Sequence, residues 1–177
     1  MANRQSLKDL QERLAQRLSA AKTEAAVASW LAVEASGQRF LLPLVQSGEI
    51  FPWAAVQAVP YTKPWYLGVS SLRGGLHGVV DLARLVGGEA GASPHSERIT
   101  SESRLVSFHH ALGINAVLLI DRLLGLRNPS NFSTLAQVPE GAPAYFSRCL
   151  IDMQGQTWQE VDLQGLATEP EFLAIAA

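Results

Sequence analysis

The chain has 177 residues, 47% of them hydrophobic and 17% charged, and carries a formal net charge of −2. That composition suits a globular domain long enough to bury a core without staples, and it excludes a broad electrostatic surface for nucleic acid or anionic lipid. Cys149 is the single cysteine, which excludes a disulfide framework and a cysteine-based zinc site.

The opening MANRQSLKDLQERL has no apolar signal-peptide core. No later run approaches the roughly 20 apolar residues needed to span a bilayer. The expected location is therefore the cytoplasm, without direct membrane insertion. Residues 1–25 are read as an N-terminal amphipathic helix ahead of a domain over 26–177. Within 6–22, Leu7, Leu10, Leu14 and Leu18 recur at spacings of three and four with charges between them, and Ser6 is available as an N-cap. Such a stripe packs on a core, binds a partner or forms a dimer seam.

From there the pattern changes to short strands separated by turn residues. SWLAVEAS (29–36) alternates roughly in twos, GQ turns, and RFLLPLV (39–45) follows, with Pro43 arguing for an edge or bulge. Further strands are predicted at 67–72, 76–81, 104–109, 115–120, 147–152 and 156–162. This density points to a mainly β fold of small barrels or a sandwich. The stretch 87–103, GGEAGASPHSERITSES, reads as an exposed connection that divides the β region in two.

The two halves echo each other. GQRFLLPLV (37–45) resembles GINAVLLID (113–121), and VDLARL (80–85) resembles VDLQGL (161–166). Gly37 to Asp81 spans 44 residues and Gly113 to Asp162 spans 49. The expectation is a pseudo-repeat in which each half is a strand cluster docked on the other, since units this small are marginal alone. Asp81 and Asp162 each end a strand before a leucine, where a carboxylate caps the following N–H groups.

No catalytic constellation emerges. GVSSL (68–72) approaches a nucleophile elbow around Ser70, but Leu72 stands at its second glycine. His77, His95, His109 and His110 lack a metal-ligand spacing, and His109 and His110 should point to opposite faces of a strand. LRGG (72–75) carries a single arginine and no following long helix, which is little to cradle a phosphate with. No cofactor and no metal are expected. Two other classes stay open: a small-ligand sensor using a groove between the barrels, and a hydrolase using Ser70 or Asp81.

The words GEI (48–50), GVSSLRG (68–74), GVVDLARLVG (78–87) and GINAVLLIDRLLGL (113–126) resemble, in order, the CheW-like coupling domain of bacterial chemosensory systems. The resemblance covers about 27–168. Leu72, Arg73, Gly74, Asp81 and Leu82 match the family pattern, whereas Ser71 replaces its asparagine and Gly78 stands where proline is common. It implies two small five-stranded β-barrels side by side and a non-catalytic adaptor. The implied partners are the cytoplasmic hairpin tip of chemoreceptors and the regulatory domain of a CheA-type histidine kinase, with recruitment to membrane receptor arrays through them. The implied partner-binding residues are Leu44, Val45, Ser47, Glu49, Ile50 and Arg73, with Ser47 where a larger apolar residue is usual. The helix ahead of the domain and the divergent middle look most like the adaptors of type IV pilus, twitching-motility pathways. Gly74 and Gly75 let the chain reverse tightly with positive backbone angles, holding Arg73 at the groove. There it grips a partner's carboxylate or carbonyls, or pairs with Glu49 to hold the first barrel together.

Overall fold

The central strands are apolar at nearly every position, a pattern that suits burial on both faces rather than one. A computed structural model, which describes residues 2–27, 29–87 and 94–177, shows that burial. Helix α1 (Ala2–Val27) precedes strands β1 (Trp30–Ala35) and β2 (Gln38–Pro43), a 3-10 turn (Leu44–Gln46) and β3 (Ser47–Pro52). Next come β4 (Tyr66–Leu72), β5 (Gly75–Asp81), α2 (Leu82–Gly87), α3 (His95–Arg98), β6 (Arg104–Phe108) and β7 (Ala116–Ile120). The chain finishes with β8 (Arg122–Arg127), β9 (Phe132–Ala136), β10 (Phe146–Asp152), β11 (Thr157–Val161), α4 (Leu163–Thr168) and α5 (Pro170–Leu173).

Among the described residues these strands form a six-stranded sheet, β8-β1-β2-β11-β10-β9, and a five-stranded sheet, β3-β6-β7-β5-β4. The second matches the first five places of the first, strand for strand, and β9 is the addition. The repeat seen in the sequence is therefore real in three dimensions, but its halves are exchanged. Strand β2 pairs in parallel with β11 (Phe40↔Gln159), and β7 pairs in parallel with β5 (Asp81↔Leu119). Each repeated word thus pairs with its complement from the other half. The expectation that 87–103 separates two self-contained strand clusters is corrected: β1 and β2 belong with β8 to β11, and β6 and β7 with β3 to β5. The physical reason is that parallel neighbours need a long crossover, which a second sheet supplies. Residues 88–93 of the connection lie outside the described residues.

Three apolar clusters follow from the period-two geometry of strands. Leu31, Val33 and Ala35 of β1, Phe40 and Leu42 of β2, and Leu118 and Ile120 of β7 meet between the sheets. Val117 and Leu119, on the other face of β7, join Phe51, Leu72, Val79 and Leu105 inside the five-stranded sheet. Trp30, Ala32, Leu41, Leu150 and Trp158 fill the six-stranded sheet. Each sheet has to curl around its own cluster. Edge strands β8 and β9 are separated only by residues 128–131, which draws the two edges together. In the other sheet the segment after β3 turns back onto edge strand β4 through paired backbone bonds between Gln57 and Val69, 2.8 and 2.9 Å. Gly68 permits this approach: with φ at +135°, a Cβ there would lie 2.1 Å from the Gln57 carbonyl oxygen.

Three strands escape the sequence patterns. β3 carries Gly48, Glu49 and Pro52; β8 continues the apolar run of β7 and bulges at Leu124; β9, FSTLA, is exposed over most of its length. The strand expected to 45 stops at Pro43, which lacks the N–H to continue and starts the 3-10 turn. Helix α1 runs beyond the leucine stripe of 6–22 at both ends, so Ser6 lies within it rather than at its cap. Its four leucines are 52 to 63% exposed, so the stripe does not pack on the β core. No helix among the described residues is long and apolar enough to cross a membrane.

Candidate functional site

The hairpin joining β4 to β5 has two central residues, Arg73 at φ +47° and Gly74 at φ +77°. That is the left-handed pair of a type I′ turn, whose twist suits adjacent antiparallel strands. The expectation that Gly74 and Gly75 supply the positive angles is corrected: Gly75 is the first residue of β5, opposite Leu72. Arginine in the left-handed region costs backbone energy that glycine avoids. Its guanidinium reaches Oε2 of Glu49 on edge strand β3 at 3.0 Å and lies 5.8 Å from the Phe51 ring centroid. The two side chains are 74% and 56% exposed. The backbone N–H of Glu49 donates to the Ser107 hydroxyl at 2.7 Å, which fixes Glu49 over β6. Beneath the pair is a cleft of about 410 Å³ whose walls include Phe51, His77, His109 and Asn115.

The 3-10 turn Leu44–Gln46 is where the chain crosses from one sheet to the other. Gln46 clamps it. Its side-chain N–H donates to Asp162 Oδ1 at 2.9 Å, and its carbonyl oxygen accepts from the Leu163 N–H at 2.8 Å. Held this way, Val45 stands 83% exposed, and Ile50 on β3 is 40% exposed. Leu44 is half-buried against the inter-sheet core. Ser47 is turned inward at 9% exposure, its hydroxyl donating to the Pro43 carbonyl at 3.0 Å. Nothing in the sequence pattern marks Gln46.

Both repeated aspartates cap as expected. Asp81 accepts from the Ala83 N–H at 3.2 Å and Asp162 from the Gln164 N–H at 3.1 Å. Asp81 has a further duty that the sequence hides. Arg98 on α3, only 9% exposed at its side chain, forks to Asp81 and Asp121 at 2.5 Å each. Asp121 in turn accepts from the Ser36 N–H of the β1–β2 turn at 2.6 Å, so one arginine ties the connection to both sheets. The stretch read as an exposed connection therefore contributes a buried cation.

The Ser70 hydroxyl is buried at 3% exposure and donates to the Ala55 carbonyl at 2.8 Å. His109 and His110 do not point apart: their ring centroids are 4.2 Å from each other, because β6 ends at Phe108 and a 3-10 turn follows. His109 Nδ1 accepts from the Ala111 N–H. Among the described residues no group of three or more His, Cys, Asp or Glu is arranged to hold a metal ion.

A family model described as CheW-like domain matches residues 29–171. The chain is 28% identical over 155 residues to Protein PilI of Pseudomonas aeruginosa, covering 85% of this chain and 83% of that one. The crystal structure of the scaffolding protein TtCheW from Thermoanaerobacter tengcongensis superposes with a TM-score of 0.59 at 15% identity, covering 76% of this chain and 88% of the other.

Proposed function

Because this chain belongs to the CheW-like domain family, we propose that it is a non-catalytic adaptor coupling methyl-accepting chemoreceptors to a CheA-type histidine kinase. Likeness to PilI, together with the sequence resemblance to twitching-motility adaptors, supports a place in a chemosensory pathway controlling type IV pili. The protein then works in the cytoplasm and reaches receptor arrays through its partners. Leu44, Val45, Ser47, Glu49, Ile50 and Arg73 form the contact region in this reading. Ser47 acts there from below the surface, as the hinge that turns β3 past Val45.

The observation that carries the reading is the state of Arg73. It holds a strained turn position, keeps 74% of its side chain exposed and, among the described residues, has an exposed carboxylate as its ion-pair partner. An exposed ion pair is worth at most about 1 kcal/mol, so the fold gains little from placing arginine there. A partner's carboxylates or helix-end carbonyls gain much more from a presented guanidinium fork. The test is co-sedimentation of the protein with receptor signalling domains and kinase, beside a thermal melt. Arg73→Glu should stay folded and weaken assembly well over tenfold, since reversing an interface charge costs about 2 to 5 kcal/mol. A folded mutant that assembles normally would remove Arg73 from the contact region.

A further inference from the structure

A second cationic site lies on the other sheet. Trp158 of β11 is 3% exposed, and its indole N–H donates to Asp152 Oδ2 at 2.9 Å. Two guanidinium groups lie against this one indole: those of Arg39 on β2 and Arg127 at the end of β8 are each 5.5 Å from its centroid. Together they line a cleft of about 440 Å³ with Leu124, Asp152, Gln154 and Gln156.

What sets these arginines apart is the ring they share; the lack of a carboxylate alone does not, since, among the described residues, Arg84 and Arg104 also bond only to backbone carbonyls. Arg73, Arg98, Arg122 and Arg148 each hold a carboxylate. Among the described residues, Arg39 has neither an ion pair nor a side-chain hydrogen bond, and Arg127 donates only to the neighbouring Leu126 carbonyl. The carboxylate across the strand from Arg39 belongs to Glu34, which is gripped in two places by Arg122 at 3.0 Å. Asp152 lies close enough to feel the Arg39 charge, but its oxygens accept from the indole and from the backbone N–H groups of Gln154 and Gln156 at 2.9 Å, not from Arg39. Two planar forks are therefore held in place by an aromatic ring while nearly all their donors remain unused.

We propose that this Arg39–Trp158–Arg127 cleft is a docking site for an acidic segment of a partner protein, whose carboxylates take the unused guanidinium donors. Arginine matches a carboxylate with two parallel bonds, and forks already ordered on the indole lose less freedom when they bind. A segment fits better than a lone anion. The cleft is many times larger than one anion, and part of its wall is apolar, supplied by Leu124 and the Trp158 indole. The site sits on strands of the six-stranded sheet, away from the Arg73 turn, and stands whether or not Arg73 contacts a receptor or kinase.

The test is a nuclear magnetic resonance titration of the isotopically labelled full chain with an acetylated hexaglutamate peptide, in parallel with inorganic phosphate. Saturable movement of the Trp158 indole N–H and the Nε–H signals of Arg39 and Arg127 by the peptide is expected. Arg39→Gln with Arg127→Gln should weaken that binding at least about tenfold, and Arg73→Glu should leave it unchanged. If the double variant fails to fold, Arg39→Gln alone and the wild-type shift map still decide. Unmoved signals, or shifts centred on Arg73 instead, overturn the proposal. Phosphate binding there as tightly as the peptide overturns the acidic segment in favour of a small anion.

Discussion

Arg73 and Glu49 are close enough to bond and exposed enough to matter little to folding. A double-mutant cycle should therefore report a coupling of under about 1 kcal/mol in thermal or urea melts. Arg73→Gly separates the two costs of the residue: it relieves the left-handed backbone and removes the fork, so stability should hold or rise slightly while receptor and kinase assembly falls. A melt that drops by several degrees in Arg73→Gly would return the residue to a structural role. Tyr145 offers a pH test. Burial, then the nearby Glu169 and Glu171 charges, push its phenol from 10 up to about 12. A phenol raised above its unfolded value contributes stability fully below about pH 10, and that contribution is lost as pH climbs through 10 towards 12. Absorbance at 295 nm should show a late-titrating phase that Tyr145→Phe removes, and that variant should lose stability less steeply in the same alkaline window. Arg73 and Gly74 were legible as a turn from composition. Which two residues hold the positive angles was not, because Gly74-Gly75 and Arg73-Gly74 both permit a two-residue hairpin and only strand register decides between them.

At the scale of elements, α3 reverses what its composition suggests and α1 narrows what its stripe left open. The leucine stripe of α1 allowed core packing, partner binding or a dimer seam, and its four leucines stay more than half exposed rather than packing on the β core. Deleting residues 1–24 should leave a cooperative melt within a few degrees of the full chain. Loss of cooperativity would make the helix part of the core. Around α3 the Gly, Ser and charged residues imply solvent, yet Arg98 is buried against Asp81, which has no exposed surface. Removing one partner from such a buried pair leaves an uncompensated charge and costs about 3 to 5 kcal/mol. Arg98→Ala should lower the denaturant midpoint accordingly, and adding Asp81→Asn should recover part of the loss. Equal stability of Arg98→Ala and the wild type would show the pair to be dispensable. Strands with two apolar faces, such as AVLLI of β7, are legible in the sequence. Strands β3, β8 and β9 are not, because their exposed residues and edge positions leave no periodic signal.

For the whole molecule, the exchange of strands between halves has a direct consequence. Fragments 26–103 and 104–177 should each fail to fold alone, because β1-β2 lacks β8 and β11 in the first, and β6-β7 lacks β3 and β5 in the second. Mixed together they should recover strand circular dichroism. Independent cooperative folding of either fragment would sink the argument. The shared cluster of Leu31, Phe40, Leu118 and Ile120 between the sheets should also make the intact domain unfold in one transition. Sequence alone determined the mainly β class, the repeat, the capping aspartates and membership of the CheW-like family, because these rest on local periodicity, turn chemistry and ordered words. It could not say which strand pairs with which. Only the tertiary structure decided that β2 lies beside β11, that Gln46 locks the crossing under Val45, that Arg98 is a buried tie and that Arg39 and Arg127 meet on one tryptophan. Each of those contacts joins residues far apart along the chain, and local pattern carries no information about distances that only folding closes.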